Sequence, residues 1–155
     1  MLVERQVYHH FANLCPQYQG GYWHFYELSN GGCYLAPDRD RCTLSHAGNS
    51  VDTTVSGDAA GIIATLYTFS HLAFHFEHDP YGERLSTHFD LLRAYASQHA
   101  EAGLIIESLI RFLAETGGRS SLVGLALCTA GPRDAAQSDH RHLLSWCAPR
   151  AGSYT

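Results

Sequence analysis

The stretch that most constrains the fold lies at residues 20–37, where two aromatic-rich runs flank Ser29, Asn30, Gly31 and Gly32. Aromatic residues favour β-strands, and Asn followed by Gly suits a tight turn that needs a positive φ angle. Pro37 ends the second run, and proline lacks the N–H that a central strand needs. The stretch therefore predicts a β-hairpin with one face packed into the core.

A short amphipathic helix is predicted before the hairpin, over residues 3–15. Its apolar positions Val7, Phe11 and Leu14 are spaced by four and three, and Pro16 follows at once. After the hairpin, residues 41–45 and 50–55 predict a third and a fourth strand, separated by a turn at 46–49. Connections this short favour an antiparallel meander of three to four strands.

The main helix is predicted to begin at Ser56, whose side chain suits an N-cap, with Asp58 in the first turn complementing the helix dipole. A second helix is predicted after Asp79 and Pro80, which suit an N-cap and the first helical position. A third is predicted from 102 to 113. Apolar positions recur at helical spacing in the first two, at Ile62, Leu66, Phe69, Ala73 and Phe76 and at Leu85, Phe89, Leu92 and Ala96. Strands followed by helices predict an α+β fold, with the helices packed against the meander.

The domain organisation is predicted to be one α+β domain over residues 1–118 and an atypical tail over 119–155. Gly117 and Gly118 end the last helix. The tail is rich in Ser, His and Arg, and apolar runs at 122–128 and 143–146 show no sustained period. We expect it to be poorly ordered, with one short docked element.

The charge pattern argues against a nucleic-acid partner. The chain has fifteen acidic residues, ten arginines and no lysine, for a net charge of −5, and no two acidic residues or arginines are adjacent. A protein that imitates DNA needs dense acidic stripes, because duplex DNA carries one charge per ~1.7 Å. A DNA-binding protein needs a basic face. Neither pattern is present.

The cysteines and the N-terminus predict a reduced, cytoplasmic protein. The five cysteines are odd in number and contain no Cys-x-x-Cys pair. Nothing at the N-terminus looks like a secretory signal, and no apolar run approaches the ~20 residues of a membrane span.

Three histidines are the strongest candidates for chemistry. His71, His75 and His78 share one helical face, and two imidazoles at i and i+4 can bind one zinc ion. That face lies opposite the apolar stripe, so a solvated polar surface is the simpler interpretation. No nucleophile elbow, phosphate loop or dinucleotide-binding motif occurs. We therefore expect no enzyme and no cofactor, and a metal-dependent hydrolase that uses His71 and His75 is a weaker alternative.

The first strand of the hairpin leaves two interpretations open. Alternation places Trp23, Phe25 and Glu27 on one face and Tyr22, His24 and Tyr26 on the other. Two large aromatic residues therefore face away from the core on either choice, unless the N-terminal helix covers them. They predict either a covered core or an exposed interaction surface, where Trp and Tyr carry much of the binding energy.

The hairpin also carries a family resemblance. Residues 20–37 closely resemble the signature of the ArdB/KlcA family of antirestriction proteins, which usually has an aromatic residue where Cys33 stands and often Met at Leu35. The likeness continues through residues 14–18, 56–62, 72–73 and 99–102, and it covers about 7–106 in all. Family members usually have a longer N-terminal segment, which we expect this chain to lack, and the residues from about Glu107 onward do not resemble the family.

The resemblance implies a small α+β cytoplasmic protein, carried by plasmids or other mobile elements, that relieves type I restriction of incoming DNA without imitating DNA. It implies no catalytic residues. We expect contact with the type I restriction-modification complex through Trp23, Phe25 and Glu27 on one hairpin face and through the turn at Ser29, Asn30 and Gly31. A binding module for another protein partner is the main alternative.

Overall fold

The computed structural model describes residues 2–46 and 49–115, which form four helices and four strands. The predicted α+β class is confirmed. In chain order, the elements are α1 (Leu2–Leu14), β1 (Trp23–Glu27), β2 (Cys33–Pro37), β3 (Arg41–His46), β4 (Asn49–Ser56), α2 (Gly57–His75), α3 (Pro80–Ala96) and α4 (Ala102–Glu115).

Helix α2 lies at the centre of the domain and packs against the other three helices and against β2. The predicted stripe residues Ile62, Leu66 and Phe69 are buried, but so are residues on the other sides of the helix, such as Ile63 and Thr68. The single apolar stripe predicted from the spacing is therefore too narrow. Small residues, among them Ala59, Ala60, Gly61 and Ala64, let neighbouring elements approach α2 from several directions.

The predicted caps of α2 and α3 are confirmed. The Ser56 hydroxyl accepts a hydrogen bond from the Ala59 N–H at 3.1 Å, and the Asp79 carboxylate accepts one from the Tyr81 N–H at 2.7 Å. Each cap satisfies a backbone donor that the first helical turn leaves without a partner. Pro80 occupies the first turn of α3, where its missing N–H costs nothing.

The predicted hairpin is confirmed as β1 and β2, which pair antiparallel with Phe25 opposite Leu35. The Leu28 N–H donates to the Gly32 carbonyl at 2.8 Å to close the turn, and Gly31 takes a φ of +85°. The Asn-Gly pair predicted a turn with this left-handed conformation, which glycine adopts without strain. The Asn30 amide also donates to the Leu91 carbonyl at 2.9 Å, which ties the hairpin tip to α3.

The four strands form two separate hairpins, β1–β2 and β3–β4, instead of one continuous meander. The reason is that α2 occupies the second edge of β2. The Thr65 hydroxyl accepts from the Leu35 N–H at 3.2 Å and donates to the Leu35 carbonyl at 3.5 Å. Gly61 allows this approach, since a Cβ there would lie 2.3 Å from the Leu35 carbonyl oxygen. The edge of β2 therefore faces a helix, and among the described strands β3 pairs only with β4.

Several predictions fall outside the described residues. They are the centre of the turn at 46–49, the helix end at Gly117 and Gly118, the boundary at 118 and the whole tail over 119–155. Among the helices that are described, none is long and apolar enough to cross a membrane.

Candidate functional site

Trp23, the first of the predicted contact residues, is buried with only 5% of its surface exposed. Its ring lies against Tyr8 and Phe11 of α1, at centroid distances of 4.9 and 5.0 Å. The indole N–H donates to the Tyr18 hydroxyl at 2.6 Å, so the polar end of the ring is also satisfied. Helix α1 thus covers this face of β1, which is the first of the two interpretations that the sequence left open.

The other predicted contact residues lie closer to solvent. Phe25 is half-buried against the core, whereas Glu27, Ser29, Asn30 and Gly31 are exposed. The side-chain oxygen Oδ1 of Asn30 accepts from the Gly32 N–H at 2.9 Å, while the side-chain Nδ2 donates to the Leu91 carbonyl of α3. The tip is therefore a fixed, exposed turn, and Trp23 supports the hairpin from behind.

The opposite face of β1 carries a row of aromatic rings at the surface. Tyr22 is 70% exposed, and its ring lies 5.1 Å from the ring of the half-buried His24. The next ring, that of Tyr26, lies 6.1 Å from His24 and only 4.8 Å from Tyr34, on which it stacks at 15°. Tyr34 also stacks on Tyr95 of α3, with ring centroids 5.8 Å apart.

A polar network begins at the end of this stack. The Tyr34 hydroxyl donates to one oxygen of Asp58 at 2.8 Å, and His99 Nε2 lies 3.1 Å from the other oxygen. The Glu101 backbone N–H donates to His99 Nδ1 at 3.0 Å, so Nδ1 is an acceptor and Nε2 carries the proton. His99 therefore donates to Asp58 through Nε2.

A second carboxylate fixes the same loop to the start of α2. The Ser56 N–H donates to both oxygens of Glu101, at 3.2 and 3.1 Å, and the Ser56 hydroxyl bonds to the nearer one. Burial opposes ionisation of Glu101, but the hydrogen bonds from Ser56, together with His99 and Arg41, lower its pKa. Two residues of the α3–α4 connection are thus clamped to the first turn of α2.

The hydrogen bonds of the network fix the positions of its side chains. Both ring nitrogens of His99 are occupied, one by a carboxylate and the other by a backbone N–H. The Ser56 hydroxyl is held between Glu101 and the Ala59 N–H. The Ser56 hydroxyl thus serves both as the N-cap of α2 and as a donor to Glu101.

Carboxylates give the outer side of the hairpin a negative field. Burial raises the pKa of Tyr26, and the charges of Asp58 and Asp38 raise it further. Burial and the hydrogen bond to Asp58 likewise raise the pKa of Tyr34. Asp38 also lies 3.4 Å from His24. We call the region formed by Tyr22, His24, Tyr26, Asp38 and Asp58 the outer surface.

The three histidines that the sequence offered as a possible zinc site lie at the surface. His71, His75 and His78 are all exposed, and α2 ends at His75, so that His78 lies beyond the helix. Within residues 2–46 and 49–115, no three His, Cys, Asp or Glu side chains come together in a way that could hold a metal ion.

The polar network escapes sequence reasoning because its members are far apart along the chain. Tyr34 and Asp58 are 24 residues apart, and Asp58 and His99 are 41 apart. No spacing rule joins such positions. Asp58 and His99 do fall within the segments that carry the family resemblance, and that was the one available signal.

A sequence profile described as antirestriction protein matches residues 16–109, well over half of the chain. The chain belongs to the antirestriction protein family. The match to this family contains both hairpins, α2, α3, the polar network and the first half of α4.

Two Escherichia coli proteins named antirestriction protein KlcA are close in sequence to this antirestriction protein. One is 40% identical over 107 residues, which cover 68% of this chain and 73% of the relative, and the other is 39% identical over 110 residues, which cover 70% and 78%. A solved structure matches with 38% identity and a TM-score of 0.63, over 70% of this chain and 78% of that one. That structure is described as showing that KlcA and ArdB have a novel fold and antirestriction activity against type I DNA restriction systems in vivo but not in vitro.

Proposed function

We propose that this protein relieves type I restriction of incoming DNA for the mobile element that carries it. The observation that carries the proposal is the solved relative, which shares the fold at a TM-score of 0.63 and 38% identity and is described as active against type I systems in vivo. The alignment spans 70% of this chain and 78% of that one.

The protein acts by contact with a protein component of the restriction system, not by binding or imitating DNA. The dispersed charges support this mechanism, since neither the acidic residues nor the arginines are adjacent anywhere in the sequence. The described arginines add further support, because Arg93 lies 3.5 Å from Asp90 and Arg111 is bonded to Glu107. These pairs reduce the basic surface available to a phosphate backbone.

The action is inhibitory binding and not catalysis. Both ring nitrogens of His99 are occupied by hydrogen-bond partners within the fold, which supports this view. Exposed groups suited to contact lie on the hairpin, at Glu27, Ser29, Asn30 and Gly31. The hydrogen bonds of Asn30 to Gly32 and Leu91 hold the turn in place, and rigid presentation lowers the entropic cost of association.

The test belongs in cells, because the solved relative is described as active in vivo but not in vitro. Unmodified phage are plated on a host with a type I system, with and without the protein, and on a host that lacks the system. We expect the plating efficiency to rise only on the restricting host. An unchanged efficiency, with the protein present and folded at the same level, would refute the proposal.

A matched pair of variants tests the hairpin as the contact. Glu27→Arg reverses a charge beside the exposed turn, and Glu77→Arg makes the same change at an exposed position just beyond α2. We expect Glu27→Arg to reduce relief of restriction about tenfold, which corresponds to ~1.4 kcal/mol, while Glu77→Arg leaves it unchanged. Equal relief by the two variants would remove Glu27 from the contact.

A further inference from the structure

We propose that the outer surface binds an arginine side chain presented by the protein partner. This inference rests on the proposed function, since it gives the chemistry of the contact through which the partner is recognised. It concerns the face of β1 opposite Trp23, which the sequence did not select as the contact.

The aromatic rings of the outer surface suit a guanidinium group. Tyr22 is 70% exposed, and its ring is followed by those of His24 and Tyr26 at spacings of 5.1 and 6.1 Å. The face of a tyrosine ring attracts cations, and the planar guanidinium of arginine also stacks on it. The Tyr26 ring is held in place because it stacks on Tyr34, which in turn stacks on Tyr95.

Two carboxylates of the outer surface retain acceptor capacity. The side chain of Asp58 is 37% exposed and uses its two oxygens once each, for Tyr34 and for His99. A carboxylate offers about four acceptor positions, so roughly half of those on Asp58 stay available. The side chain of Asp38 is 67% exposed and lies beside His24. Arginine pairs with such groups through two parallel hydrogen bonds.

The nearby arginines Arg39 and Arg41 contact other groups than these carboxylates. The Arg39 guanidinium lies 5.5 Å over the Tyr18 ring and 3.5 Å from the Gly20 carbonyl oxygen. Arg41 donates to the Thr54 carbonyl at 3.3 Å. Within the part of the chain that the structure describes, no arginine forms an ion pair with Asp38 or Asp58. Burial raises the pKa of Tyr26, and the nearby charges of Asp58 and Asp38 raise it further.

The probes are a hexa-arginine peptide and a hexa-citrulline peptide, which has nearly the same shape but no charge. Each is titrated into the isotope-labelled full chain, and amide shifts are followed by NMR. We expect shifts at Tyr22, His24, Tyr26 and Asp38 with hexa-arginine and none with hexa-citrulline. Shifts scattered over acidic residues elsewhere would overturn the proposal. A hexa-lysine peptide that binds equally well would overturn the choice of arginine.

Variants separate this site from general attraction by an acidic protein. Tyr22→Ala and Asp38→Asn remove exposed groups that the core does not use, and Glu77→Gln removes one negative charge elsewhere on the surface. We expect each of the first two to weaken hexa-arginine binding roughly two- to fivefold. We expect Glu77→Gln to leave it unchanged, and equal weakening by all three would overturn the proposal.

A phage-plating arm separates this inference from the proposed function. If the parent relieves restriction and the Tyr22→Ala/Asp38→Asn double variant relieves it equally, the outer surface is not the contact and the proposed function stands. If the parent itself gives no relief, the proposed function fails, and the peptide titration still decides whether the outer surface binds arginine. A native amide spectrum of the double variant ensures that lost relief reflects lost contact.

Discussion

Replacing Gly61 with alanine should destabilise the protein, although alanine is the better helix former. The new Cβ would lie 2.3 Å from the Leu35 carbonyl oxygen and 2.5 Å from the Ala36 Cα, both of them backbone atoms of β2. An unstrained carbon–oxygen contact is about 3.3 Å, so α2 and β2 must separate by about 1 Å. That shift takes the Thr65 hydroxyl beyond reach of the Leu35 N–H, from which it now accepts at 3.2 Å.

The magnitude follows from three terms. Forcing a methyl group into a filled contact costs about 1–3 kcal/mol. Loss of the bond between Thr65 and Leu35 adds about 1 kcal/mol. The change from glycine to alanine within a helix returns about 1 kcal/mol. We therefore expect the free energy of unfolding to fall by about 1–3 kcal/mol.

The control is Gly103→Ala in α4, where a Cβ would meet no heavy atom within 4 Å. It should stabilise the protein by about 0.4–1 kcal/mol, because it only reduces the freedom of the unfolded chain. Urea unfolding of the two variants and the parent, followed by circular dichroism at 222 nm, gives both values. Faster hydrogen exchange of the Leu35 amide in Gly61→Ala would report the lost bond. A Gly61→Ala protein as stable as Gly103→Ala would refute the reasoning.

Three further predictions concern buried groups. Trp23→Ala should cost about 3–5 kcal/mol in urea unfolding, because the ring fills the space under α1, whereas Tyr22→Ala on the exposed face should change stability by no more than about 0.5 kcal/mol. Burial lowers the pKa of His10 from 6.5 to about 4, so on acidification the unfolded chain binds a proton at His10 before the folded protein does. The free energy of unfolding should therefore fall by about 3 kcal/mol as the pH drops from 6.5 to 4, and it should fall less steeply in His10→Gln. Burial raises the pKa of the Cys42 thiol to about 11, so peptide mapping after alkylation at pH 8 should show the half-buried Cys33 modified faster than Cys42. Equal rates for these two thiols would contradict this prediction.

Local sequence accounts for the elements and their ends. The caps at Ser56 and Asp79 and the turn at Gly31 depend on contacts within a few residues, and the structure has them where the sequence placed them. The predicted strands at 41–45 and 50–55 became Arg41–His46 and Asn49–Ser56. Such features can be predicted from the sequence because each depends on a side chain and the backbone groups within a few residues of it.

The sequence predicted the candidate site only in part. Alternation along β1 correctly separated Trp23 and Phe25 from Tyr22, His24 and Tyr26, but it could not say which set α1 would cover. That choice depends on Tyr8 and Phe11, which enclose the Trp23 ring from another element. The exposure of Tyr22 is therefore a consequence of packing and not of strand periodicity.

By itself the sequence determined the α+β class, the hairpin and its turn, the helix caps and, through the residues of the hairpin, the family. Tertiary structure alone decided that α2 covers the edge of β2 and that Asp58 meets both Tyr34 and His99. The physical reason is the same in both cases. Nothing in the sequence around Gly61 and Thr65 indicates that they contact the backbone of a strand, and Asp58 and His99 are 41 residues apart. Only the packing of α2 shows which backbone and which side chains these residues reach.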